Sequence, residues 1–341
     1  MDIESAPLQR VRVFDAFRHR DFRLLWSGQF VSLIGDAAFF TALGWRAFTL
    51  VGPSRLGIVF LAQAIGLLTT LLIGGALADR IPRRTMMIAS DLSRCVVVAA
   101  LALADATGHL TSRCGSSSRC STGSATASSS PARAVQPAAK EGTFREIRSG
   151  VRYVSNIPWL WVTITLFAVI LMLQLAPQQV LMPELVHEHF DRGVGAYGFL
   201  VTMFGAGTVT GTLLFGQLQP RKRRGVVNYS FWLVNSLAIA ALALSPWFQL
   251  AAFFALVRGF CVGFGVARWE TMLQELVPDH LLSRVVSLDF FGSFGLMPVG
   301  LAFAAGIAGL ASPGEIIAAG ALISAAMIAV TMTRPWLRAV E

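Results

Sequence analysis

Nine stretches of this chain are apolar over about the 20 residues that a helix needs to cross a bilayer. They fall at 24–50, 56–78, 86–104, 158–182, 196–218, 226–246, 248–268, 285–311 and 313–333. In hydrocarbon every backbone N–H and C=O has to be satisfied within the protein, which a helix does by itself. The expected fold is therefore an all-α polytopic membrane protein, a bundle of about nine transmembrane helices. Composition agrees. Hydrophobic residues make up 55% of the chain and charged residues 14%, against about 25% charged in soluble domains.

The net charge of +9 raises the possibility of a nucleic-acid partner, and the placement of the basic residues argues against it. They bunch between apolar runs, as Arg80, Arg83 and Arg84, and again as Arg221, Lys222, Arg223 and Arg224. That is how a membrane protein marks its cytoplasmic loops. The first 23 residues carry no apolar core with a cleavage site and read as a basic cytoplasmic tail. The partners expected are the lipid bilayer and a small-molecule substrate, with no nucleic acid. Cys95 and Cys261 lie in apolar runs as small hydrophobes, and the Cys114/Cys120 spacing fits no zinc site. No metal or cofactor is expected.

Small residues four apart, Gly207/Gly211 and Gly259/Gly263, permit close helix crossings. The run FGAGTVTG has the wrong spacing for a nucleotide loop and follows no strand. Residues 144–156 place Phe144, Ile147, Val151 and Val154 on one face of a basic amphipathic segment suited to the membrane surface. The segment PELVHEHFDR (183–192) collects Glu184, His187, His189 and Asp191. It is expected as a solvated loop between spans rather than a metal site.

The stretch GGALADRIPRRTMM (74–87) joins the second and third runs. Charge alone makes it a basic turn, or a latch in which Asp79 meets the N-terminus of a neighbouring helix. Its pattern says more. Gly75, Leu77, Asp79, Arg80, Arg83 and Arg84 match G-x-L-x-D-R-x-x-R-R, which resembles the cytoplasmic motif of the major facilitator superfamily between helices 2 and 3. Pro82 stands where the family usually has glycine. A second copy without the aspartate, Gly216, Leu218 and Arg221–Arg224, is similar to the repeat expected of two six-helix halves. The runs FRLLWSGQFVSLIGDAAFFTAL and LVPDHLLSRVVSLDFFGSFGLMPVG resemble helix 1 and the helix 10–11 connection of the drug- and siderophore-exporting branch, which includes the enterobactin exporter and macrolide efflux proteins.

That resemblance covers 18–110 and 143–338, and implies an N-terminal half with helices 1–3 only (1–110), a Ser-rich linker (111–143) and a C-terminal half with helices 7–12 (144–341). The resemblance implies that helices 4–6 are lacking. The tract CGSSSRCSTGSATASSSP sits where helix 4 begins in the branch. One permitted back-translation of it, read one base out of frame, gives RELVSLLYGIGDGLFFP, which looks like that missing start. A frameshift with a deletion accounts for this, and a genuine flexible insert is the alternative. Three runs separate the two basic clusters and none falls between 105 and 157, so both clusters can lie inside only if an odd number of further crossings falls in that segment. The resemblance implies proton-driven efflux of a drug- or siderophore-type molecule at the plasma (inner) membrane, impaired by the missing helices, or else a truncated remnant that inserts and transports nothing.

A charged side chain at the centre of a span costs about 2.5–3.5 kcal/mol on insertion scales, so each one is a candidate site residue. Asp36, in the first run, either exchanges a proton, holds a cationic substrate or serves helix packing. Arg258 and Asp289, in the helices that correspond to 10 and 11, are candidates to line the cavity, and Asp289 alternatively belongs to the contact made by Asp79. Asp91 and Arg94 stand one helical turn apart and neutralise each other.

Overall fold

The computed structural model describes residues 20–52, 55–64, 150–218 and 224–338, with isolated positions between 92 and 103. Among the described residues the elements are all helices. Helix α1 (Arg20–Val51) ends at Gly52, whose φ of 75° is the left-handed conformation that closes helices. The Gly52 amide donates to the Phe48 carbonyl at 2.9 Å, and the chain turns into α2 (Arg55–Ala64). Then follow α3 (Pro158–His189), α4 (Val194–Leu218), α5 (Arg224–Ala243), α6 (Phe248–Leu276), α7 (Asp279–Phe294), α8 (Met297–Ile307), α9 (Pro313–Met332) and the short α10 (Pro335–Arg338). Six of these units are long and apolar enough to span: α3, α4, α5, α6, α7 with α8, and α9. They match the last six apolar runs of the sequence. The protein is an all-α polytopic membrane protein. The rest of the second run, most of the third, the 75–84 motif, Asp91, Arg94 and the Ser-rich tract lie outside the described residues.

Proline shapes two of the spans. Pro177 has no amide to give the Leu173 carbonyl, and the preceding turn, Leu171–Leu175, widens to a π-helix in which the Ala176 amide reaches back to the Leu171 carbonyl. The Leu173 carbonyl lies against Gly320 of α9, at a point where a Cβ would collide with it. Between α7 and α8 the helix breaks at Gly295 and Leu296, since Pro298 cannot donate to Phe294. Helix α9 starts with a capping box: the Glu315 amide donates to Ser312 Oγ at 3.3 Å, and the Ser312 amide donates to Glu315 Oε2 at 3.0 Å.

One expectation is corrected. The polar segment 183–192 is not a loop from its start, because α3 continues through π turns at Leu185–His189. Leu185 and Val186 are fully buried, so this turn has an apolar face to bury, and helix geometry sends its polar residues elsewhere.

The most extensive contact between described helices is α4 on α6. The two glycine pairs meet each other there. A Cβ on Gly207 or Gly211 would strike the backbone of Leu256 and Phe260, and one on Gly259 or Gly263 would strike the carbonyls of Phe204 and Thr208. Thr212 adds a hydrogen bond to the Gly263 carbonyl at 3.2 Å. The main core joins Val180 and Leu181 of α3, Ala251 and Ala255 of α6, Leu301 and Ala304 of α8, and Ile317 and Ala321 of α9. Leu56 and Phe60 of α2 insert into this same core, where Gly57 lies against Leu301 and Ala305. Leu213, Leu237, Phe253 and Ile323 are exposed, as suits a surface solvated by lipid.

Candidate functional site

A cavity of about 260 Å³ lies where α1 and α2 meet α3, α4 and α6. Phe40 of α1 and Phe60 of α2 form one wall; Gln178 and Met182 of α3, Tyr197, Leu200 and Phe204 of α4, and Ala255 and Arg258 of α6 form the others. The lining is apolar with a few polar groups, the usual make-up of a small-molecule site. Arg258 is its cation. The guanidinium sits 4.6 Å from the centre of the Phe204 ring, a cation–π contact that holds the side chain in place. Its Nε is buried and has no hydrogen-bond partner among the described residues.

Toward the α1–α2 turn the cavity gives way to an aromatic cluster. Trp45 stacks on Tyr197 with centroids 6.3 Å apart and meets His187 edge-on at 6.1 Å. Phe48 meets the same imidazole at 5.8 Å. The cluster ties α1 to the π turn of α3 and to the start of α4.

On the other side of Gln178 lies a buried polar chain between α3 and α5. Gln178 Nε2 donates to the Gln174 carbonyl at 3.0 Å, Gln174 Nε2 donates to Ser236 Oγ at 2.7 Å, and Asn235 Nδ2 donates to Gln174 Oε1 at 3.4 Å. Gln174 belongs to the π turn at Leu171–Leu175, a distortion that often marks functional sites. Residue-by-residue reading passed over this chain, because neutral amides cost far less in a span than charges do. The available signal was two glutamines four apart in LMLQLAPQQ.

The charges singled out from sequence do not converge. Arg258 lines the cavity. Asp289 of α7 accepts a hydrogen bond from Trp269 Nε1 at 2.9 Å, and Trp269 lies eleven residues beyond Arg258 on α6, about 16 Å along the axis. Asp36 lies on α1 one helical turn before Phe40; its side chain is outside the described part, as are Gly75, Leu77, Asp79, Arg80, Arg83 and Arg84. Arg268, not singled out from the sequence, is buried against Phe215 with Nε and Nη2 unpartnered among the described residues. Near it Arg224 pairs with Glu275. Among the described residues no three His, Cys, Asp or Glu side chains are grouped to hold a metal ion.

Six helices able to span a membrane, with a small cavity at one side of their bundle lined by a single described charged side chain, define a polytopic helical membrane protein. The family model for transmembrane secretion effectors matches residues 124–340. The chain belongs to that family, which is of the major facilitator type, and is a multi-pass membrane transporter. The match takes in α3 to α10 and leaves residues 1–123 outside it. No curated protein matches the chain.

Proposed function

We propose that the chain exports a small molecule through the cavity at Arg258 by alternating access, with protons as the coupling ion. The observation that carries this reading is the position of the cavity, at the junction between α1–α2 and the bundle of α3, α4 and α6. Both sides of that junction close on each other through the aromatic cluster. Rocking one side against the other would expose the cavity to alternate faces of the membrane, as in transporters built from repeats. Arg258 and the Gln178 amide hold the substrate, and Asp36 exchanges the proton. The 75–84 motif acts as the cytoplasmic latch, with Asp79 facing the start of α7, and Asp289 supports that end of the bundle through Trp269. The N-terminus is cytoplasmic and the membrane is the plasma (inner) membrane.

The test is export from cells or everted vesicles carrying this chain, measured over a panel of drug-like and siderophore-like compounds. Export above background that collapses with a protonophore and with Asp36→Asn supports the reading; export absent for every compound sinks it.

A second reading has its own support. Residues 105–157 contain no apolar run long enough to span, which fits a chain that has lost helices 4–6 and inserts as a non-transporting remnant. Cysteine labelling separates the two. Residues 83 and 223 both labelled from inside support the transporter. Residue 223 labelled from outside means that the second half is inverted, and that the two halves cannot form a common cavity.

A further inference from the structure

We infer that the cavity selects organic anions: molecules with an apolar, preferably aromatic body and one carboxylate-type group. The inference rests on the reading of the cavity as a transport site and adds the substrate class to it. Among the described lining residues there is one charged side chain, Arg258, and no Asp or Glu. Its described neighbours offer it an aromatic face, not a carboxylate: the Phe204 ring at 4.6 Å. A π face attracts a guanidinium without occupying its N–H donors in the ring plane. Nε, buried and unpartnered among the described residues, thus keeps its donor capacity.

A planar fork of donors in a low-dielectric pocket matches a carboxylate in shape and in charge. Burying a cation without a counter-ion is costly, so an arriving anion would gain more than contact area. It would complete a charge pair that the described pocket leaves open. The walls, Phe40, Phe60 and Leu200 among them, suit a hydrophobic body, and the other described polar groups of the lining, Gln178, Gln179 and Tyr197, are neutral. An anion moving outward also runs down an inside-negative membrane potential, so the gradient that returns protons favours its export.

The experiment uses the full chain in lipid nanodiscs and three probes of matched shape: 1-naphthoate, 1-naphthamide and (1-naphthylmethyl)trimethylammonium. Binding is read by isothermal titration calorimetry, with empty nanodiscs subtracted. We expect naphthoate to bind saturably and at least about ten-fold more tightly than the other two, the worth of one charge-assisted hydrogen-bonded pair. Arg258→Gln should abolish that preference and Arg258→Lys should keep part of it. An ammonium probe that binds as tightly as naphthoate, or a preference that survives Arg258→Gln, overturns the anion assignment and leaves the transport cavity standing. Failure of all three probes to bind saturably likewise overturns the anion assignment, while the transport reading stands or falls separately on export over the compound panel. The comparison of probes on the unmodified chain decides the matter even if Arg258→Gln does not fold.

Discussion

Substituting alanine for two glycines on the same helix should have opposite effects on stability. Gly205 and Gly207 are two residues apart on α4. Around Gly205 there is nothing within 4 Å of where a Cβ would stand, whereas at Gly207 the Cβ would collide with the backbone of Leu256 and Phe260. No rotamer change relieves a clash with a backbone carbonyl, so α4 and α6 have to separate by roughly 1 Å to restore an ordinary carbon–oxygen contact. Separation also disturbs the other glycines of the crossing and the Thr212 bond to Gly263. Overpacking of this kind costs about 1–3 kcal/mol, while alanine in place of an unhindered helical glycine gains up to about 1 kcal/mol. The propensity gain is common to both substitutions, so the two variants should differ by the overpacking cost, about 1–3 kcal/mol. Titration with a denaturing detergent, followed by circular dichroism or tryptophan fluorescence, measures the difference. Gly207→Ala as stable as Gly205→Ala would refute the close α4–α6 crossing.

Three further outcomes follow from other parts of the molecule. Gln174→Leu removes the bonds to Ser236 and Asn235 and leaves the Asn235 amide buried without its acceptor, so it should lower stability by about 1–3 kcal/mol in the same titration; a neutral result would mean that the α3–α5 chain does not form. Glu275→Gln breaks the Arg224 pair, but the Glu275 side chain is 50% exposed, so the loss should stay below about 1 kcal/mol and vanish at high salt. With one cysteine at position 78 and another within 283–288, Asp79→Ala should weaken their cross-linking, and an unchanged yield would remove the latch.

Much of the fold is legible in the sequence, because span placement depends on apolar length. Each of the last six runs became a spanning unit, and the glycine pairs at 207/211 and 259/263 marked a close crossing. That they face one another is a matter of tertiary packing, which spacing within each helix does not reveal. The end of α3 was misjudged because Glu184, His187 and His189 look like loop residues, while the burial of Leu185 and Val186 and the rings around His187 decide the matter. The π turn at Leu171–Leu175 is a backbone hydrogen-bonding feature, with Pro177 as its sole trace in the sequence. Arg258 stood out because a charge in a span is expensive, but its Phe204 partner looked like any other apolar residue. The amides of Gln174, Gln178 and Asn235 were missed for the opposite reason, being cheap enough in a span to attract no notice.

The proposal that α1–α2 rocks against the bundle of α3, α4 and α6 is tested most directly by a cross-link across that junction. A Cβ on Gly198 of α4 would stand 3.7 Å from Cγ2 of Thr41 on α1, so side chains at these two positions are in van der Waals contact. In a chain with Cys95, Cys114, Cys120 and Cys261 replaced by serine, the pair Thr41→Cys and Gly198→Cys should cross-link on mild oxidation. The bond should stop proton-dependent export of a compound found in the panel, and reduction should restore it. A pair that does not cross-link, or a cross-linked protein that exports at the full rate, would contradict alternating access at this cavity.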